Sequence, residues 1–277
     1  MAAPATHAVV SLPALDLRPR PDHRAELGSQ LLLGETVRLL DARPRAGWRH
    51  VRNAADGYEG WVRDWGLVSA AGARVRRWER AARARVVAPW ALVTARPDAG
   101  VAVGPLFFAS RVIAGRARLG RREVELPDGR RGWVAAAALA GVADPPPSIV
   151  ERVGSLLGTP YLWGGRTSAG LDCSAFVQLV LAEQGVAMPR DASDQYVACE
   201  PLRAAETALE GDLAFFAAPR RPAGHVGLAL GDGYFVHSRG TVRIASVNPD
   251  NALCDKDLLP QLLGWYRPRK GRRRAAR

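Results

Sequence analysis

Cys173 lies in Leu171-Asp172-Cys173-Ser174-Ala175-Phe176-Val177-Gln178-Leu179-Val180-Leu181, where apolar residues at 176, 177, 180 and 181 follow helical spacing and Gly185 supplies a stop. The spacing puts Cys173 at a helix N-terminus, where the helix dipole and unpaired amides favour an anion and draw a thiol toward thiolate, its nucleophilic form. A cysteine so placed is either a packing residue or a nucleophile, and the second role needs a base. His225 in Gly224-His225-Val226-Gly227 and His237 in Val236-His237-Ser238 flank the turn Gly231-Asp232-Gly233. Paired antiparallel strands would therefore bring the two rings together, His237 holding His225. A thiol, an imidazole and a further polar side chain that orients the imidazole form an activated nucleophile for acyl transfer.

The remaining histidines and cysteines carry no comparable pattern. His7 and His23 lie near the N-terminus and His50 in a strand-like run, and all three read as structural or solvent-facing. Cys199 and Cys254 read as packing residues; three widely spaced cysteines without a C-x-x-C pair indicate neither a disulfide framework nor a zinc site. No metal and no cofactor are expected.

The elements that must hold these residues follow from patterns along the 277 residues. Asp56-Gly57-Tyr58-Glu59-Gly60-Trp61-Val62 returns as Asp128-Gly129-Arg130-Arg131-Gly132-Trp133-Val134, an internal repeat of D-G-x-x-G-W-V. Asp-Gly between strand-like runs is a hairpin turn, because Gly accepts the positive φ it requires. Short β-rich runs upstream of each copy predict two small barrels over 1–75 and 76–142. Pro145-Pro146-Pro147 marks a stiff linker, and a further domain spans 143–267. It opens on a helix with Ser148 as N-cap and Glu151 completing a capping box, closed by Gly158.

Composition narrows the class. Apolar residues at 48% and charged residues at 24% exclude a disordered or fibrous chain. The net charge of +12, less the seven positive charges of the run Arg267 to Arg277, is +5. That basic tail, 268–277, is either a solvated terminus or a contact for RNA, DNA or anionic lipid; its partner is left open and no obligatory nucleic acid is expected. Nowhere do about 18 consecutive apolar residues occur, so no membrane span is expected. The N-terminal stretch lacks the basic residues and the uninterrupted apolar run of an export signal, which points to a cytoplasmic chain.

Tyr161-Leu162-Trp163-Gly164-Gly165, Asp172-Cys173-Ser174, Gly211-Asp212-Leu213, His225-Val226-Gly227 and Val236-His237-Ser238 occur in the order and spacing of the NlpC/P60 peptidases, and residues 148–267 resemble that family. The resemblance implies an α+β papain-like catalytic domain behind two all-β modules that resemble bacterial SH3-like barrels. It makes Cys173 the nucleophile, His225 the general base and then acid, and His237 the orienting third member. The Cys173 amide and the Tyr161 hydroxyl are the expected oxyanion donors. Ala175 stands where the family usually has Gly, a difference of one methyl.

The two barrels, with Arg20 to Glu35 near the start, resemble the dipeptidyl-peptidase VI branch of that family. This implies hydrolysis of the bond between γ-D-Glu and meso-diaminopimelate or Lys in murein peptides with a free N-terminal L-Ala, within murein recycling. The substrate's ammonium calls for a carboxylate partner. Asp191 matches the family's position and Asp172 flanks the nucleophile, while Ala192 stands where relatives often have Ser. Ser174 is expected among the substrate-binding residues, Trp163 is expected to pack beneath the site, and Glu35 and Tyr58 are expected to close it from the first barrel. The alternatives are a secreted peptidoglycan endopeptidase whose barrels bind the wall, and a papain fold turned to acyl transfer or binding.

Overall fold

The computed structural model describes residues 5–98, 100–203 and 207–269. The chain divides into two compact units: Met1–Pro145 with Trp163–Ser168, and Pro146–Leu162 with Ala169–Arg277. The expected boundary near residue 143 thus has its counterpart between Pro145 and Pro146, and six residues beyond it return to the first unit.

In the first unit, β1 (His7–Val10), β4 (Thr36–Leu39), β5 (Trp48–Asn53), β6 (Glu59–Arg63) and β7 (Leu67–Ala70) form an antiparallel sheet in the order β6-β5-β4-β1-β7. The hairpin β2 (Ala14–Leu17) and β3 (Ser29–Leu32) accompanies it. A second sheet runs β10-β9-β13-β12-β11-β8-β14, built from β8 (Ala84–Val86), β9 (Trp90–Thr94), β10 (Ala102–Phe107), β11 (Arg111–Arg118), β12 (Arg121–Glu125), β13 (Arg131–Ala135) and β14 (Leu139–Gly141). Between them lies α1 (Gly72–Ala81), a helix with one apolar face that sequence reasoning passed over among its arginines.

The repeated D-G-x-x-G-W-V does the same work in both sheets. Gly57 and Gly129 adopt φ of +78° and +85° in the β5–β6 and β12–β13 turns. Gly60 and Gly132 have no room for a side chain: a Cβ would stand 2.2 Å from Leu17 Cδ2 in one copy and 2.4 Å from Val93 Cγ1 in the other. Val62 and Val134 are fully buried, each in its own sheet's core. The two sheets are joined, however. Leu33, from the β3–β4 turn, is buried in the core of the second sheet, and Gly34 (φ +86°) lies so close to the Arg111 carbonyl that a Cβ would fall 2.3 Å from its oxygen.

The second unit carries α2 (Ile149–Leu156), α3 (Cys173–Glu183), α4 (Ala192–Val197) and the short β16 (Gly170–Leu171), while β15 (Arg166–Thr167) falls in the strip assigned to the first. Its antiparallel sheet has the order β17-β22-β18-β19-β20-β21, from β17 (Cys199–Pro201), β18 (Leu213–Ala218), β19 (Arg221–Gly231), β20 (Tyr234–Arg239), β21 (Thr241–Ser246) and β22 (Leu262–Pro268). The capping box is present in full at the head of α2, and Gly158 (φ +81°) and Gly185 (φ +79°) follow α2 and α3 in the left-handed region. Nearly every residue of α3 is buried, so this helix is covered all round rather than on one face. A fully buried ion pair, Arg152 Nε to Glu183 Oε2 at 2.5 Å, ties α2 to its C-terminal end.

Of the basic tail, 270–277 lie outside the described residues. The run begins on β22, where Arg267, exposed on one side, donates to both oxygens of buried Asp212 at 2.9 and 2.8 Å. Among the described residues no helix is long and apolar enough to cross a membrane.

Candidate active site

Cys173 is the first residue of α3, with Asp172 as its N-cap; the Asp172 carboxylate accepts the Ala175 N–H at 2.8 Å. As an N-terminal helical residue, Cys173 has an N–H without an intrahelical partner. The loop before it is fixed by the strands of the sheet. Gly158 N–H donates to Val242, Val242 N–H to Thr159, and Tyr161 N–H to Gly240, each at 2.8 Å, while Ser238 Oγ donates to the Leu171 carbonyl at 2.7 Å. Tyr161 and Cys173 are thus both anchored to the β20–β21 end of the sheet.

His225 on β19 and His237 on β20 are brought together by the Gly231-Asp232-Gly233 turn, in which Asp232 and Gly233 both take positive φ. His225 Nε2 stands 2.8 Å from His237 Nδ1. His237 is fully buried, and its Nε2 has no hydrogen-bond partner among the described residues. With Nε2 of His225 engaged, Nδ1 is the ring nitrogen left to serve a nucleophile. For Nδ1 to accept, the proton of neutral His225 must sit on Nε2 and be donated to His237.

The electrostatics correct one expectation. Burial pushes the Cys173 thiol up to about 12, the Asp172 charge adding to it, and this outweighs the hydrogen bonds from the Val226 and Ser174 amides and the Arg190 charge. The helix terminus therefore does not deliver a resting thiolate, because desolvation of the sulfur dominates. His225 is held down to about 4, by burial first and then by the Arg239 charge, and His237 to about 3, by burial and then by His225. Thiol and imidazole are both neutral at rest. Tyr161 is pushed up to about 12, again by burial first, so its hydroxyl stays a donor at neutral pH.

Several expected binding residues have other occupations. Asp172 is buried and takes both arms of the Arg190 guanidinium, at 2.6 and 3.1 Å; with a cation already on it, it is not the partner of a substrate ammonium. Ser174 is also buried, its Oγ accepting from Arg190 at 2.9 Å and donating to Asp172 at 3.2 Å, which places it in that clamp rather than against substrate. Trp163 is 50% exposed and is grouped with the first unit. Glu35, also in the first unit, receives the fork of buried Arg166 at 3.0 Å on each oxygen; it is that residue's counter-ion. Tyr58 packs against the first sheet's core. Asp191 is half-buried at the head of α4.

The histidines outside the site have local partners: His50 stacks on Trp61 at 4.8 Å, exposed His23 meets the Trp48 ring tilted at 4.9 Å, and His7 meets Thr6 Oγ1 at 2.8 Å. Cys199 is buried on β17. Sequence reasoning missed Arg190, whose only mark was its place between Pro189 and Asp191. It also missed Gln195, fully buried and donating to the Ser174 carbonyl at 2.9 Å.

Residues 158–259 match the NlpC/P60 family, and residues 17–67 match the bacterial dipeptidyl-peptidase SH3 domain. A γ-D-glutamyl-L-lysine dipeptidyl-peptidase of Bacillus cereus is 27% identical over 254 residues, 82% of this chain and 71% of that protein. The protein of the same name from Bacillus subtilis is 40% identical over 97 residues, 34% of this chain and 32% of its own length. Peptidoglycan endopeptidase RipB of Mycobacterium tuberculosis is 35% identical over 116 residues, covering 36% and 46% respectively. The matches to the last two thus span about a third and just under half of those proteins. Among solved structures, an NlpC/P60 family protein from Bacillus cereus superposes with a TM-score of 0.78 over 95% of this chain and 99% of its own, at 20% identity, a likeness of fold.

Proposed function

We propose, from the premise that this chain carries an NlpC/P60-family domain preceded by a bacterial SH3 domain, that it is a cysteine peptidase acting on murein peptides. The bond cut is the one joining γ-D-Glu to meso-diaminopimelate or Lys, in peptides with a free N-terminal L-Ala, as a step of cytoplasmic murein recycling. The observation that carries the reading is the pair of histidines 2.8 Å apart, beside a helix-terminal cysteine whose sulfur accepts the Val226 amide. The similarity over 82% of this chain to a γ-D-glutamyl-L-lysine dipeptidyl-peptidase supports the substrate class. We read the second sheet of the first unit as a further SH3-like barrel and the catalytic unit as papain-like.

In this reading His225 Nδ1 removes the thiol proton as the Cys173 sulfur adds to the γ-carbonyl carbon. The new oxyanion is held by the Cys173 N–H and the Tyr161 hydroxyl. Protonated His225 then donates to the leaving amine as the C–N bond breaks, leaving a thioester. Water, deprotonated by His225, attacks the thioester and restores the thiol. A buried neutral pair suits this order, since the proton moves only when substrate polarity offsets the burial that keeps sulfur uncharged. His237 fixes the tautomer and stabilises the imidazolium that forms, and Asp191 receives the substrate's ammonium.

The test is incubation of the protein and of Cys173→Ala with L-Ala-γ-D-Glu-meso-diaminopimelate and its N-acetylated form, products read by mass spectrometry. Cleavage of the free-amine peptide alone, lost in the variant, is expected. Equal cleavage of both forms, or of intact sacculi, would favour the second reading, a secreted wall endopeptidase, toward which the similarity to RipB points.

A further inference from the structure

A cleft of about 310 Å³ opens on the catalytic unit beside His225, lined among others by Tyr161, Ala218, Gly224, Arg239 and Gln261. Arg239 is the one charged side chain among the described residues that line it. It stands at the end of β20, two residues after His237, and its side chain is 43% exposed. One arm of its guanidinium donates to Asp255, and Arg243 from β21 donates to the same carboxylate oxygen. The other donors of the Arg239 fork have no partner among the described residues.

The cluster of two arginines and one aspartate is net positive. Burial alone would raise the Asp255 carboxyl, but the hydrogen bonds from Arg239 and Leu258 and the two guanidinium charges hold it below its ordinary range. The cluster's charge therefore persists through neutral pH. Its position fixes what it can meet. His225 gives its proton to the leaving nitrogen, so the residue that leaves lies on the His225 side, where this cleft is. In the proposed mechanism the acyl half stays on Cys173, at the head of α3.

We infer that Arg239 is a specificity residue for the leaving amino acid: it receives a carboxylate carried on that residue's side chain and so selects diaminopimelate over lysine. The inference rests on the hydrolytic function proposed above and deepens it. The far end of diaminopimelate bears an ammonium and a carboxylate, and a planar guanidinium fork matches a carboxylate in two hydrogen bonds. The far end of lysine is an ammonium alone, which a net-positive cluster repels. The proximity is also felt at the base, where the Arg239 charge is second only to burial in holding His225 down.

Both diamino acids also carry an α-carboxylate, so the test uses α-carboxamides of L-Ala-γ-D-Glu-meso-diaminopimelate and L-Ala-γ-D-Glu-L-Lys. Values of kcat/KM are measured for the full chain, Arg239→Gln and Arg239→Lys, with calorimetric binding of both peptides to Cys173→Ala and to Cys173→Ala carrying Arg239→Gln. A preference for the diaminopimelate peptide of at least tenfold is expected. It should fall to within threefold in Arg239→Gln, chiefly through KM, and be partly restored in Arg239→Lys. Equal loss on both peptides, or a wild-type preference for lysine, would overturn the inference and leave Arg239 as a partner of Asp255 only. Sensitivity confined to the free-acid forms of both peptides would overturn it too, by placing the α-carboxylate on Arg239. If neither peptide is cleaved, the hydrolytic function fails and binding decides: a preference abolished by Arg239→Gln upholds the carboxylate site, and equal binding rejects it.

Discussion

Replacing Asp172 with asparagine separates two roles that sequence and structure assign to it. Asparagine caps a helix about as well as aspartate, so the bond from the Ala175 amide survives. What disappears is the counter-charge of Arg190, whose side chain is 1% exposed against 9% for Asp172. Breaking a buried ion pair from one side costs about 3–5 kcal/mol, because the remaining charge is left uncompensated. Asp172→Ala should cost about 1 kcal/mol more through the lost cap. At a urea dependence of about 2 kcal/mol per molar, Asp172→Asn should lower the unfolding midpoint of the second unit by about 2 M, read by circular dichroism. Pairing it with Arg190→Met should return much of that loss, since removing both charges removes the unpaired one. The thiol should move as well: Asp172 raises Cys173 and Arg190 lowers it, so the single substitution brings the thiol down. A variant as stable as wild type, with a raised KM for free-amine peptides, would refute this reasoning and return Asp172 to the role of ammonium acceptor.

Two further outcomes follow from features already described. Because burial holds the Cys173 thiol near 12, its alkylation by iodoacetamide should be slower at pH 7 than that of a free thiol and climb with pH across the alkaline range; a plateau below pH 6 would show a preformed thiolate–imidazolium pair instead. Gly132→Ala forces a methyl to within 2.4 Å of Val93 Cγ1 and 2.8 Å of the Thr94 carbonyl, and should destabilise the first unit by about 1–3 kcal/mol in thermal unfolding. Gly129→Ala, in open space but at φ +85°, should cost about 1 kcal/mol, and the reverse ranking would contradict the steric account of the repeat.

The sequence made legible whatever is local. Ser148 and Glu151, the glycines after α2 and α3, the Asp-Gly turns and the strand pairing of His225 with His237 are read from neighbours a few residues apart, and each stands in the fold as expected. Contacts set by tertiary packing were not legible. Nothing near Asp172 shows that Arg190, 18 residues on, consumes its charge, nor near Glu35 that Arg166 does. The thiol failed for a related reason. A helix terminus is visible in a sequence, whereas the desolvation of Cys173 depends on how completely α3 is enclosed, and a run such as Phe176 to Leu181 reads equally as one buried face or as burial all round. Leu33 escaped likewise, since one turn residue serves the core of the next sheet.

The strip Trp163–Ser168 bears on how such chains can be cut and recombined. It lies between Tyr161 and Cys173 in sequence, yet its residues engage the first unit: Gly164 sits where a Cβ would fall 2.3 Å from the Leu27 carbonyl oxygen, Arg166 is buried on Gln30 and Glu35, and Ser168 donates to the Pro89 carbonyl at 2.5 Å. Severing the chain once at the triple proline would not yield two self-sufficient halves. The first half would lose the guanidinium that neutralises Glu35, and the second would keep a charged, glycine-rich loop that retains its pairing with β16 but not its partners in the first unit. The two units are interleaved along the polypeptide, so no single joint in the sequence separates them.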